Sequence, residues 1–143
     1  MILSADQITP VLGKLNHVAV LVRDLPAAIA KYQTVFGARL IEQETLPNGA
    51  DIAVIEIGEM HLELLSTRQP ESKIAKLLEQ LGEGVHHLSY TVGDIDGAME
   101  RLRGAGLRFR DQVPRIGLHG RPIAFLEPED TFGVLIELVG ERS

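Results

Sequence analysis

The chain repeats one pattern of features, and this repeat constrains its fold more than any other property of the sequence. The stretch from Leu15 to Val22 aligns with the stretch from Val85 to Val92 at an offset of 70 positions. Two later apolar segments recur at offsets of 71 and 74, 52–55 with 123–126 and 62–65 with 136–139. The features recur in the same order, and the offset between the two copies changes only by the few residues that loops would absorb. We therefore expect two modules of one architecture.

The sequence pattern of each module predicts the element order β-α-β-β-β. A strand rich in β-branched residues comes first, an amphipathic helix follows, and three strands complete the module. The first helix has Asp24 as its cap and Pro26 in its first turn, and it ends at Gly37; the second starts near Asp94 and ends at Gly104. The predicted strands are residues 17–22, 38–44, 51–57 and 61–66, then 87–92, 107–112, 122–127 and 134–139.

The length of 143 residues predicts a single domain over residues 1–143, because domains average roughly 150 residues. Module one covers about residues 14–67 and module two about residues 84–140. A linker helix over about residues 70–82 joins them, with four apolar side chains expected to be buried: Ile74, Leu77, Leu78 and Leu81. The fold class is therefore α+β, with two tandem βαβββ modules forming a curved mixed sheet.

Composition excludes several classes of protein. The chain has no cysteine, so disulfide frameworks, thiolate metal sites and cysteine nucleophiles are excluded. A formal charge of −6 and 4% aromatic residues argue against nucleic-acid binding. No apolar run approaches the roughly 20 residues of a membrane span, and residues 1–10 lack the pattern of a secretory signal. A cytoplasmic protein without nucleic-acid or membrane partners is expected.

Four residues of metal-ligand type occupy equivalent positions in the two modules. The repeat pairs His17 with His87 and Glu63 with Glu137, each within an apolar strand. A strand histidine or glutamate taken alone is usually a core or solvent-facing residue, but carboxylates rarely lie in apolar strands without a partner. Two imidazoles and two carboxylates suit a divalent first-row metal, and open coordination positions would bind substrate oxygens. The curved sheet is therefore expected to surround a metal site.

A glycine-containing loop over residues 115–122 is the second candidate site. Its two arginines and two glycines could let backbone N–H groups approach an anion. The alternative is a hairpin connection with solvated arginines.

The paired modules, with histidine and glutamate on their first and last strands, resemble the vicinal oxygen chelate superfamily and, within it, the methylmalonyl-CoA epimerase family. The resemblance covers Leu15 to Leu138. Its more specific motifs are Gly84-Val85-His86-His87 and the Arg-Ile-Gly-x-His-Gly loop at residues 115–120.

The resemblance implies a fold, a cofactor and a reaction. It implies inversion of the carbon between the thioester and the carboxylate of methylmalonyl-CoA, through an enolate that a divalent metal stabilises by chelation. Cobalt is the first choice of metal, with zinc, nickel or manganese as alternatives. A homodimer acting on a small-molecule acyl-CoA is expected. The metal ligands that the resemblance implies are His17, Glu63, His87 and Glu137, and Glu137 is also implied as an acid/base group. The implied substrate contacts are Arg115, His119, Gly120 and Arg121.

The chain departs from the family pattern at two places. A second catalytic glutamate found in some epimerases falls on Ile52, and the neighbouring Asp51 is the candidate replacement. Strict alternation would turn Asp51 to the other face of its strand unless a bulge intervenes, and an ordinary turn or edge residue is the alternative. The family's His-Pro-Lys-Asp becomes Glu-Pro-Glu-Asp at residues 127–130. If this loop contacts the anionic groups of the substrate, affinity should fall, so either the loop lies elsewhere or the substrate is different.

Three alternative functions stay open from the sequence. A glyoxalase-type lyase or isomerase, or an epimerase of another acid, would use the same ligands. A non-catalytic ligand-binding module would need no metal. An iron-dependent dioxygenase would need only two histidines and one glutamate, so the fourth ligand candidate disfavours it.

Overall fold

The computed structural model describes residues 10–141, which divide into two compact units. The first unit is Asn16–Ser89, and the second comprises residues 10–15 and 90–141. The helices and strands in chain order are β1 (Leu15–Leu21), α1 (Leu25–Thr34), β2 (Arg39–Thr45), β3 (Ala50–Ile57), β4 (Met60–Thr67), α2 (Lys73–Leu81), β5 (Gly84–Thr91), α3 (Ile95–Gly104), β6 (Arg115–Ile116), β7 (Pro122–Phe125) and β8 (Ile136–Val139).

The first unit contains a mixed sheet with the strand order β2-β3-β4-β1-β5. Strands β1 and β4 are parallel, with Ala19 opposite Glu63. Strands β2, β3 and β4 are antiparallel, and Val54 of β3 lies opposite Glu63 on its other side. Since opposite residues in a sheet point to the same side, Ala19, Val54 and Glu63 define one face, here called the Glu63 face.

Helix α1 covers the opposite face, here called the helix face. The helix begins as predicted, because Asp24 Oδ1 accepts a hydrogen bond of 3.0 Å from Ala27 N. Its buried Leu25 and Ile29 pack into a cluster with alternate strand residues such as Leu64, which is fully buried. The other members include Val22, Ala38, Ala53 and Ile55. The Glu63 face of this sheet is therefore available to carry polar groups.

The second unit repeats this arrangement around α3. Strands β6, β7 and β8 are antiparallel, with Phe125 opposite Glu137. A second core combines α3 with the strands through Val92, Ile95, Ala98, Met99, Ala124 and Leu138. Each half of the chain thus encloses its own core, as the repeat predicts.

The predicted strand over residues 107–112 is wrong. Only Phe109 pairs there, as an isolated bridge with Leu126. The backbone N–H of Phe125 donates to the Asp111 carboxylate at 2.9 Å, so a side chain replaces the carbonyl that a continuing ladder would need. The pairing strand is instead the short β6.

The linker helix also differs from prediction. It begins at Lys73, because Ser72 Oγ accepts from Ala75 N at 3.2 Å and caps it. Leu78 is buried as expected, whereas Leu81 is 66% exposed. No helix in the described residues is long and apolar enough to cross a membrane.

Candidate metal centre

Three of the four predicted ligands meet within the first unit. His17 Nδ1 lies 2.9 Å from Glu63 Oε2, and the rings of His17 and His87 have centroids 5.6 Å apart. The two histidines are 5% and 6% exposed, and the Glu63 side chain is 13% exposed. Strands β1, β4 and β5 therefore bring two imidazoles and one carboxylate together in a buried cluster.

Strand alternation explains how these side chains converge. His17, Ala19 and Leu21 are the buried residues of β1, and every second residue between them is less buried. Because Ala19 lies opposite Glu63, His17 points to the Glu63 face as well. The same alternation in β5 buries His87 and Ser89.

The donor set fits a divalent metal ion. A nitrogen of His17 and a nitrogen of His87 come within 4.8 Å of each other, and a carboxylate lies beside them. Burying two imidazoles and a carboxylate away from water is costly unless they share a charge partner. Neutral imidazole and carboxylate are ligands that first-row divalent metals accept. The cluster therefore supports a divalent metal.

Two neighbours contact the histidine rings. Asn16 Oδ1 lies 2.8 Å from His17 Nδ1, and His86 Nδ1 lies 2.8 Å from His87 Nδ1. Groups of this kind orient metal-binding imidazoles. The sequence patterns do not single out Asn16, and its position directly before His17 was the available signal.

Glu137, the fourth predicted ligand, lies in β8 of the second unit. It is 6% exposed, which is unusual for a carboxylate. Its equivalence to Glu63 rests on the sequence repeat.

Asp51 lies on the helix face of β3, away from Glu63. It is opposite Ser66, and its carboxylate accepts hydrogen bonds from Thr45 Oγ1 at 2.6 Å and from Arg68 Nε at 3.1 Å. The Thr45 hydrogen bond, helped by Arg68, outweighs burial and lowers the pKa of Asp51 below its ordinary value. Strict alternation thus holds at Asp51, and the structure does not bring it to the predicted metal ligands.

The loop over residues 115–121 is tied to its own unit. Arg115 Nε lies 2.7 Å from Asp111 Oδ1, and its guanidinium stacks over the Phe125 ring. Arg121 Nε donates to the Gly140 carbonyl at 2.9 Å. His119 adopts a left-handed backbone with φ of 61°, which is uncommon for a residue with a side chain. Gly120 follows with φ of 70°.

The acidic residues that replace the family's cation are matched by arginines. Arg108 contacts Asp130 at 3.1 Å and Glu129 at 3.6 Å, and Arg110 lies 3.7 Å from Glu127. Hydrogen bonds from Arg108 lower the pKa of Asp130. Part of the negative charge predicted to repel an anionic substrate is therefore balanced within the second unit.

Comparisons with known proteins agree with this architecture. The family model for the Glyoxalase/Bleomycin resistance protein/Dioxygenase superfamily matches residues 14–138. The chain is 41% identical to the ethylmalonyl-CoA/methylmalonyl-CoA epimerase of Cereibacter sphaeroides, over 89% of this chain and 97% of that one.

Solved structures extend the likeness to the fold. Methylmalonyl-CoA epimerase from Mycobacterium tuberculosis matches with a TM-score of 0.86 and 32% identity, over 95% of this chain and 93% of that one. A variant of methylmalonyl-CoA epimerase from Streptomyces coelicolor, in complex with 2-nitronate-propionyl-CoA, matches with a TM-score of 0.83 and 32% identity, over 92% and 99%. These matches confirm the predicted fold class, and the chain belongs to the Glyoxalase/Bleomycin resistance protein/Dioxygenase superfamily.

Proposed function

We propose that this chain is a metal-dependent epimerase that inverts the α-carbon of methylmalonyl-CoA. The observation that carries this proposal is the buried cluster of His17, Glu63 and His87 in the first unit. The similarity to epimerases named for this substrate supports it.

The ligands that would hold the metal are His17, Glu63, His87 and, by the repeat, Glu137. Cobalt is the proposed ion, and zinc, nickel and manganese are alternatives that the same donors accept. When bound, the ion supplies Lewis-acid stabilisation of the negative charge that develops on the substrate oxygens.

Epimerisation also requires acid/base groups from the chain. A proton leaves one side of the α-carbon and another arrives on the opposite side, so two groups are needed. Glu137 is the proposed group on one side. Asp51, the other group considered from the sequence, is not carried into the proposal, because it bonds Thr45 and Arg68 on the helix face.

Substrate contacts are proposed for the loop residues Arg115, His119, Gly120 and Arg121. The Arg115 side chain is 52% exposed, so it can still meet an anion beside Asp111. The left-handed conformation of His119 supports a functional role, since backbone strain of this kind concentrates at ligand sites. Arg121 also donates a hydrogen bond to the Gly140 carbonyl, which positions the end of the loop. A homodimer and a cytoplasmic location stay predictions.

Isotope exchange tests the proposed function. Cobalt-loaded protein is incubated with methylmalonyl-CoA in heavy water, and deuterium at the α-carbon is followed with and without a chelator. We expect metal-dependent exchange in the wild type and its loss in His87→Ala. The matched control is His61→Ala, because His61 is 42% exposed and pairs with Glu56. Bound metal without exchange would contradict the proposal and favour the glyoxalase-type reaction or another acid.

A protein that binds no divalent metal would point instead to the non-catalytic ligand-binding module. Metal content is therefore measured on the same samples before the exchange reaction.

A further inference from the structure

Strand β2 contains a register shift that changes which of its side chains share a face with Glu63. Leu40 lies opposite Ile55, yet two residues later Glu42 lies opposite Val54. An unbroken ladder would place Ile41 opposite Val54 and turn Glu42 to the helix face. A shift by one residue moves all later side chains of a strand to the other side of the sheet. The bulge at Ile41 therefore brings Glu42 to the Glu63 face.

Contacts at the end of β2 support this assignment. Thr45 lies opposite Asp51 and bonds its carboxylate on the helix face. Alternation along the strand then turns Glu44 and Glu42 to the opposite side, which is the Glu63 face.

Glu42 lies in the same cross-strand row as Glu63. It is opposite Val54, which is itself opposite Glu63, and Ala19 continues the row in β1. Neighbouring strands are about 4.8 Å apart, so the two glutamate backbones are about 10 Å apart across β3. Val54 is only 6% exposed and cannot itself move a proton. Both carboxylates thus project from the same side of the sheet with an apolar residue between them.

Glu44 is a neighbouring carboxylate with a different position. It lies opposite Ile52, one row beyond Glu42, and it is exposed, whereas Glu42 is half-buried. A group that transfers a proton to or from carbon works best where bulk water is excluded. Among the carboxylates of β2, Glu42 therefore combines the row of Glu63 with partial burial.

We propose that Glu42 is the second acid/base group of the reaction, a proposal that rests on the proposed function. The Glu42 carboxylate takes the α-proton, and the electron pair of the broken C–H bond moves into the adjacent carbonyl group to give an enolate. A second acid, on the opposite side of the enolate, then gives its proton to the carbon. The electron pair of the enolate forms the new C–H bond. One proton is taken and one is returned, and the reverse direction uses the same two groups with their roles exchanged.

Exchange measured separately on the two enantiomers tests this assignment. Each enantiomer of methylmalonyl-CoA is incubated in heavy water with metal-loaded wild type, Glu42→Gln or Glu44→Gln. Glutamine keeps the size of the side chain and removes its acid/base function. We expect Glu42→Gln to lose epimerisation by about 10²- to 10⁴-fold, the usual contribution of one general acid/base group. It should still exchange the proton of one enantiomer, while Glu44→Gln stays within about threefold of wild type.

Metal content and melting temperature are recorded for all three proteins. Unchanged values in Glu42→Gln, together with exchange lost for only one enantiomer, support Glu42. Wild-type epimerisation in Glu42→Gln, equal loss of exchange for both enantiomers, or an equal defect in Glu44→Gln would overturn the assignment while the proposed function stands. A wild type that exchanges neither enantiomer would overturn the proposed function itself, and this inference with it.

Discussion

Ser89 offers a stability prediction that can be worked from its surroundings. The residue lies in β5, two positions after His87, and it is 0% exposed. Within residues 10–141, its Oγ has no hydrogen-bond partner. A buried hydroxyl left unsatisfied costs about 1–3 kcal/mol. Ser89→Ala removes that oxygen without breaking a hydrogen bond, and the vacated space is smaller than a water molecule.

We therefore expect Ser89→Ala to raise the free energy of unfolding by about 1 kcal/mol, after a small loss of packing contacts. For a chain of this length, the melting temperature should rise by about 3–5 °C. The assay is urea unfolding of metal-free protein, with the midpoint and slope compared between variants, because an unchanged slope means that only stability has changed.

Ser66→Ala is the matched control. Ser66 is also buried, at 3% exposed, but its Oγ donates to the Arg23 carbonyl at 3.2 Å. Removing that hydrogen bond should lower the free energy of unfolding by about 1 kcal/mol. The two serine variants are thus expected to shift stability in opposite directions. A loss of 1 kcal/mol or more in Ser89→Ala would refute the reasoning, because it would mean that the hydroxyl is satisfied in solution.

Three further predictions concern the metal, pH and the loop. His17→Ala should weaken binding of the divalent metal by more than about 100-fold, as measured by titration calorimetry. It should also remove the rise in melting temperature that the metal causes, as measured by thermal unfolding with and without metal. An unchanged affinity would exclude His17 as a ligand. The folded-state pKa of Asp51 is lowered from 3.8, so its stabilisation is complete above that value and is lost as pH falls through the folded-state pKa. The drop in unfolding midpoint between pH 7 and pH 3 should therefore be smaller in Asp51→Asn than in wild type, and an equal drop would contradict the Arg68 and Thr45 contacts. Arg115→Ala should raise KM for acyl-CoA several-fold with little change in kcat, whereas an unchanged KM would assign Arg115 to its ion pair with Asp111 alone.

Features that depend on local periodicity were predictable. Helix α1 begins at Leu25 after its Asp24 cap, as the sequence indicates, and His17 and Ala19 lie on one face of β1 because alternation along a strand is a local rule. The internal repeat also anticipates the two similar cores. These results follow from spacing alone.

Prediction failed where a side chain competes with the backbone or pairs with a distant residue. Asp111 takes the N–H of Phe125, fourteen positions away, and so ends the strand that the apolar pattern indicates. Alternation correctly turns Asp51 away from Glu63, but its partner Arg68, seventeen positions away, could not be predicted. No periodic pattern encodes such contacts, because they depend on which strands become neighbours.

By itself, the sequence determined the two modules, the start of α1 and the residue types that each strand can present, since all of these follow from spacing along the chain. The tertiary structure alone decided the register of β2. At the start of β2, packing of Leu40 and Ile55 into the helix-face core sets one register between β2 and β3. At the end of β2, the turn that pairs Thr45 with Asp51 sets a register that differs from the first by one residue. The strand absorbs the difference as a bulge at Ile41, and that bulge is what brings Glu42 to the face of Glu63.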